Sequence, residues 1–226
     1  MTVTFHHWES RDAAAHGLAL LVREALVAGV AARGRAALAV AGGTTPGPML
    51  GALSRLEMDW ARVVVTVTDE RCVPEDDARS NARLVRETLL QGGAGAARFV
   101  PLAPGGAGPG PNGPPGLAAL LPLDCAVLGM GADMHTASLF PGADRLAEAL
   151  APGAPPALAL RAPGAPEPRV TLSAETLAGA RAIHVLIFGA GKRAAFDAAM
   201  APGPVEDGPI RAILRAPGAV AIHYAD

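Results

Sequence analysis

The chain has 226 residues, half of them hydrophobic and 18% charged, which is enough apolar material to bury a full core and excludes a disordered chain. Its formal net charge of −2 gives no general attraction for nucleic acid or an anionic membrane, so a bound anion must be held by a local cluster. Cys72 and Cys125 sit at apolar strand edges without metal-ligand spacing and read as buried free thiols of a cytoplasmic protein.

Residues 1–8 lack the basic start and apolar core of a secretory signal. The longest apolar stretches are broken by Arg, Gly or Pro before they reach the length of a membrane span. Helical spacing of apolar residues marks 12–33. A short buried strand follows at 36–41, and Gly42-Gly43-Thr44-Thr45-Pro46 turns it into a helix, with Thr45 as the cap residue and Pro46 in the first turn. The clearest strand, 63–68, runs into the charged loop Asp69-Glu70-Arg71, and Ser80-Asn81 opens a helix to about residue 90. Residues 101–116 form a Pro/Gly-rich surface loop. A strand at 124–128 ends in glycines, and a helix is expected from Thr136.

A second Pro/Gly-rich region, 151–168, surrounds a strand at 157–160. Residues 169–172 form a strand that ends at a Ser173 helix cap, and 182–188 is another buried strand. Gly189-Ala190-Gly191-Lys192 then opens a helix to residue 200, and 220–223 closes the chain as a strand. Strands alternating with helices predict an α/β fold: one Rossmann-like, largely parallel sheet with helices on both faces, with a small extra mixed β-subsheet as an option. No internal repeat divides the chain, so residues 1–226 are read as a single domain.

In such a sheet the carboxyl ends of the strands converge on one edge, where ligands bind. Four polar groups reach that edge. Gly43, Thr44 and Thr45 offer amides and hydroxyls at a helix start, a place that favours an anion. Arg71, directly beyond Asp69, can grip a phosphate with paired hydrogen bonds. Asp133 and His135 follow the glycines Gly129 and Gly131, and a histidine beside a carboxylate is a candidate general base. Lys192 is the only lysine among many arginines, and its loop lacks the spacing and the Ser/Thr of a nucleotide-triphosphate site. His6, His7, His16 and His184 carry no partner pattern. No set of residues has metal-ligand spacing, and the Trp and Tyr residues form no base-stacking platform.

Ala41-Gly42-Gly43-Thr44-Thr45-Pro46, Thr68-Asp69-Glu70-Arg71-Cys72-Val73-Pro74 and, most specifically, His135-Thr136-Ala137-Ser138-Leu139-Phe140-Pro141-Gly142 resemble the 6-phosphogluconolactonase family over nearly the whole chain. The resemblance implies hydrolysis of 6-phospho-D-glucono-1,5-lactone, the second step of the oxidative pentose phosphate pathway, without a cofactor or metal. The partner is then a small phosphosugar lactone, with no nucleic acid and no membrane, and the protein is a monomer or homodimer. His135 would activate water, with Asp133 or Asp69 orienting it, and amides of the 129–135 loop, such as those of Gly129 and Gly131, would hold the oxyanion. Arg71 and Lys192 would bind the phosphate, supported by residues 43–45, with Arg169 as a further candidate. An amino-sugar phosphate deaminase or isomerase, which shares the fold, and a non-catalytic sugar-phosphate binder are the alternatives.

The chain departs from the family's Gly-Glu-Asp-Gly-His at Ala132 and Met134. His223 stands where a Trp is common. A non-glycine residue at 134 would cost about 1–2 kcal/mol if a positive φ is needed there.

Overall fold

The computed structural model describes residues 2–108 and 113–226. Met1 and residues 109–112 of the expected surface loop lie outside the described residues.

Strands β1 (Thr2–His7), β2 (Ala36–Val40), β3 (Val63–Val67), β5 (Arg98–Phe99), β6 (Cys125–Leu128), β9 (Ala182–Phe188) and β10 (Ala219–Ala225) form one sheet in the order β1-β10-β9-β6-β2-β3-β5. All its pairings are parallel. The second sheet joins β4 (Asp69–Arg71), β8 (Arg169–Leu172) and β7 (Ala157–Leu160), and it is antiparallel rather than mixed. Every residue of β2, β3 and β6 is buried, as expected of parallel strands covered on both faces. The covering helices are α1 (Arg11–Arg33), α2 (Gly47–Ser54), α3 (Asn81–Thr88), α4 (Leu146–Leu150), α5 (Ala174–Ala178), α6 (Ala190–Met200) and α7 (Ile210–Leu214).

Local chemistry sets the helix limits. Ser10 caps α1 by accepting the Ala13 N–H, and Gly34 ends it with φ 73°, a left-handed turn that glycine takes without cost. By length and composition α1 could cross a membrane, contrary to the sequence reading. It packs Leu18, Val22 and Leu26 fully out of solvent against the sheet, as a core helix does. Ser80 and Ser173 cap α3 and α5 as predicted. Helix α2 starts one residue later than expected: Pro46 is the cap residue, and no side chain caps it.

Chain order fixes where a ligand can bind. From β2 the chain moves outward to β3, whereas β6 returns to the other side of β2 and β9 continues in that direction. The β2–β6 boundary is therefore the point where strand order reverses, and a crevice opens beyond the strand ends there. At Thr68 the chain leaves the large sheet, because its N–H donates to Val40 O while its carbonyl accepts from Leu172 of the small sheet. Asp69-Glu70-Arg71 is thus a strand and not the solvated loop the sequence suggested.

The helix expected from Thr136 is absent. Residues 136–143 form tight turns, and α4 starts only at Leu146. Tertiary bonds override local preference here, since Ser138 is fully buried and is held by Thr171 and Asp69.

His184 also differs from its reading as a lone strand histidine. Trp8 Nε1–H donates to His223 Nδ1 (3.2 Å), which leaves His223 Nε2–H to donate to His184 Nδ1 (3.0 Å). Burial, then neighbouring histidines, push His223 down to about 3; burial, then His6, push His184 down to about 4. Both are neutral members of the core.

Candidate active site

A cavity of about 430 Å³ lies at the topological switch, and it is lined by every expected site residue except Asp133, which sits behind His135. The β2 end supplies Gly42–Pro46, the β6 end Gly129–Gly131 and His135, the β9 end Phe188 and Lys192, and the small sheet Asp69, Arg71 and Arg169.

Side chains alternate along a strand, so Asp69 and Arg71 face the cavity together while Glu70 points the other way. Glu70 is 3% exposed and accepts from Asn81 N (2.8 Å), Ala82 N (2.6 Å), Arg71 N (2.8 Å) and Ser80 Oγ (3.3 Å). Burial pushes its carboxyl up; the three N–H bonds oppose that rise and the Asp69 charge adds to it. Glu70 thereby ties the start of α3 to the strand that carries Arg71. Asn81 in turn donates to Asp69 O (2.8 Å), and it sits so close to Gly42 that a Cβ there would lie 1.9 Å from Asn81 Oδ1. Gly42 is thus needed for room, a role that the anion-loop reading did not assign.

Asp69 is buried yet does not touch His135 by any hydrogen bond among the described residues. It accepts from Ser138 Oγ (2.6 Å) and Thr68 Oγ1 (3.2 Å) and lies 3.9 Å from Arg169 Nη1. Arg71 and Arg169 stand directly opposite each other across β4 and β8. Like charges in facing strand positions repel, so the pair is at odds with the sheet unless an anion sits between them. Arg71 also donates through Nη1 to Arg79 O, and the Nε atoms of both arginines are buried without a partner. Burial, followed by the Arg71 charge, presses the Arg169 pKa down, against the pull of Asp69 and Glu167.

On the facing wall, His135 Nδ1–H donates to Asp133 Oδ1 at 2.6 Å, which leaves Nε2 as the nitrogen free to take a proton. Burial pushes the Asp133 carboxyl up, but the His135 charge and its side-chain and N–H bonds outweigh that and hold it below the usual range. The Phe140 ring lies 4.0 Å from the imidazole, centre to centre, and Arg169 sits over the same ring. A Cβ on Gly131 would fall 2.1 Å from His135 Nδ1, so only glycine admits the hydrogen-bonded His135–Asp133 pair. The Gly131 N–H is already donated to His135 O (2.8 Å), and the Met134 N–H to Gly131 O (3.1 Å).

Met134 has φ 65°, the left-handed conformation that a β-carbon makes costly by about 1–2 kcal/mol. Lys192, in the first turn of α6, has no carboxylate within ion-pair distance among the described residues. Thr44 and Thr45 line the cavity, and Gly43 has φ 85°.

The sequence reading left out Asn81, Ser138 and Phe140 as site residues, although Ser138 and Phe140 lie within the 135–142 motif and Asn81 stands at the expected helix start. Only the folded register brings Asn81 and Phe140 to the cavity and sets Ser138 beneath it, on Asp69.

The sequence profile of the glucosamine-6-phosphate isomerase/6-phosphogluconolactonase family matches residues 9–222. The chain is 45% identical over 222 residues to 6-phosphogluconolactonase of Rhizobium meliloti, covering 95% of each. It is 46% identical over 229 residues to that of Mesorhizobium japonicum, covering 97% of this chain and 95% of the relative. A solved structure of a 6-phosphogluconolactonase from Shewanella baltica superposes with a TM-score of 0.90 at 33% identity, covering 99% of this chain and 98% of that one. The chain belongs to the glucosamine-6-phosphate isomerase/6-phosphogluconolactonase family.

Proposed function

We propose that this chain, acting as a single α/β domain, hydrolyses 6-phospho-D-glucono-1,5-lactone to 6-phosphogluconate, the lactone-opening step of the oxidative pentose phosphate pathway. The observation that carries the reading is the facing arginine pair, with two buried unpartnered Nε atoms, across one cavity from a His–Asp pair. One wall suits a phosphate, and the other suits proton transfer at a carbonyl.

His135 Nε2 takes a proton from water as its oxygen attacks the lactone carbonyl. Asp133 holds the tautomer and steadies the imidazolium that forms. The oxyanion is met by the amides of Gly129 and Met130 at the β6 end, because the Gly131 amide is engaged within its own turn. The imidazolium returns its proton to the departing ring oxygen, which leaves a hydroxyl and a carboxylic acid that releases its proton to solvent to become the carboxylate. Arg71, Arg169 and Lys192 hold the phosphate, with the hydroxyls of Thr44 and Thr45 and the Gly43 amide at its edge. Asp69 orients Ser138 and balances Arg169 rather than polarising His135.

The test is a coupled assay on freshly generated lactone, with the spontaneous rate subtracted. Turnover above that background is expected, with no ammonia released from glucosamine 6-phosphate. Ammonia release would identify a deaminase, and binding of 6-phosphogluconate without turnover would identify a non-catalytic binder.

A further inference from the structure

The loop that carries His135 is closed on itself and pinned at one outer corner. Gly131 N–H donates to His135 O, Met134 N–H to Gly131 O, and Thr136 Oγ1 to Gly129 O (2.8 Å). The corner is Met134, whose carbonyl accepts the Ile210 N–H at 3.0 Å from the first residue of α7. Its side chain packs on the core and lies over Gly208, where an added Cβ would come within 3.2 Å of Met134 Sδ and 3.3 Å of Met134 Cβ.

The segment it leans on is itself anchored. Arg211 of α7 is 7% exposed and donates to Ala198 O (3.1 Å) and Ala199 O (3.3 Å) in the last turn of α6, and to Pro204 O (3.0 Å). Helix α6 carries Lys192 in its first turn. Met134, Ile210 and Arg211 therefore join the general-base loop to the helix of the phosphate-binding lysine.

We propose that Met134 is a positioning residue, a clamp whose side chain and carbonyl hold the His135 loop in register with α6 against 208–210. A strained residue persists where its surroundings over-determine it, and the three contacts at Met134 do so. A glycine would relieve the φ cost but would lose the side chain that keeps the corner in place. The kinetic part of this inference rests on the lactonase reading.

The experiment compares Met134→Ala, Met134→Gly and Met134→Leu in the full chain, reading lactone kinetics and the His135 imidazole nitrogen signals by NMR. Met134→Ala is expected to lose about tenfold in kcat with KM within about twofold, because small displacements of a catalytic group are costly. Met134→Gly should lose more, and Met134→Leu, close in volume, should recover most of the rate. The His135 signal, single in the parent, should broaden or split in the Ala and Gly variants and stay single in Leu. Parent kcat with an unchanged imidazole signal in Met134→Ala, or a Gly variant faster than the parent, overturns the clamp. If the parent shows no lactone turnover, the lactonase reading fails by itself and the imidazole spectra alone decide the clamp.

Discussion

The small-sheet wall and the 129–142 wall face each other across one cavity but hold their charges in different ways. On the small-sheet side, Asp69 is 7% and Glu70 3% exposed; Glu70 accepts four hydrogen bonds from α3, Ser80 and the Arg71 backbone, and the Asp69 carboxylate accepts from Ser138 and Thr68. On the other side, the Asp133 side chain is 52% exposed, and the His135 pair rests on one short bond in a turn with two non-glycine residues at positive φ, Met134 and Ala137. Fixed charges that only bind can be locked into a sheet. A group that must gain and lose a proton needs solvent contact, and its loop has to supply the geometry that burial supplies elsewhere.

The sharpest way to break this contrast is to cut the scaffold beneath the arginines. Glu70→Ala leaves the first N–H groups of α3 buried without an acceptor and should cost about 3 kcal/mol in urea denaturation. A loss under about 1 kcal/mol would mean that the small-sheet wall is not held by Glu70.

Acid tests the large sheet beneath the other wall, through His184 and His223. Their folded pKa values lie below the unfolded value, so the unfolded chain binds more protons and stability falls as pH drops through about 6.5. Between about pH 7 and about pH 5.5 two such histidines should lose about 2–3 kcal/mol together, measured by denaturation at both values. Equal stability at the two would show that the pair is not held neutral.

Arg71→Ala should raise KM about 10–100-fold with a smaller change in kcat, since it removes charged hydrogen bonds to a group remote from the reacting carbon. An unchanged KM would move the phosphate away from the small sheet.

Much of this was legible in the sequence because strand ends carry their own punctuation. The apolar runs at 36–41, 63–68, 124–128 and 182–188 stop at glycines or charges, and those stops are the cavity rim. What stayed hidden depends on register and tertiary bonds. Asp69–Arg71 reads as a loop because three charged residues have no apolar alternation, and only pairing with β8 makes them a strand. The 136–143 turns read as a helix start because nothing local shows that Ser138 is claimed by Asp69 and Thr171. The His184–His223 bond joins residues 39 apart in sequence, beyond any periodicity. Met134 was legible as an anomaly, since the cost of a positive φ can be read from residue type, but the Ile210 and Gly208 contacts that hold it cannot.

The central claim is that His135 Nε2 takes the proton from water while the small-sheet wall only binds. Its most direct test is His135→Gln in the lactone assay, beside calorimetric binding of 6-phosphogluconate. The account predicts a kcat about 10²–10⁴-fold lower with product affinity within about threefold of the parent. Parent-rate hydrolysis by the variant would contradict it.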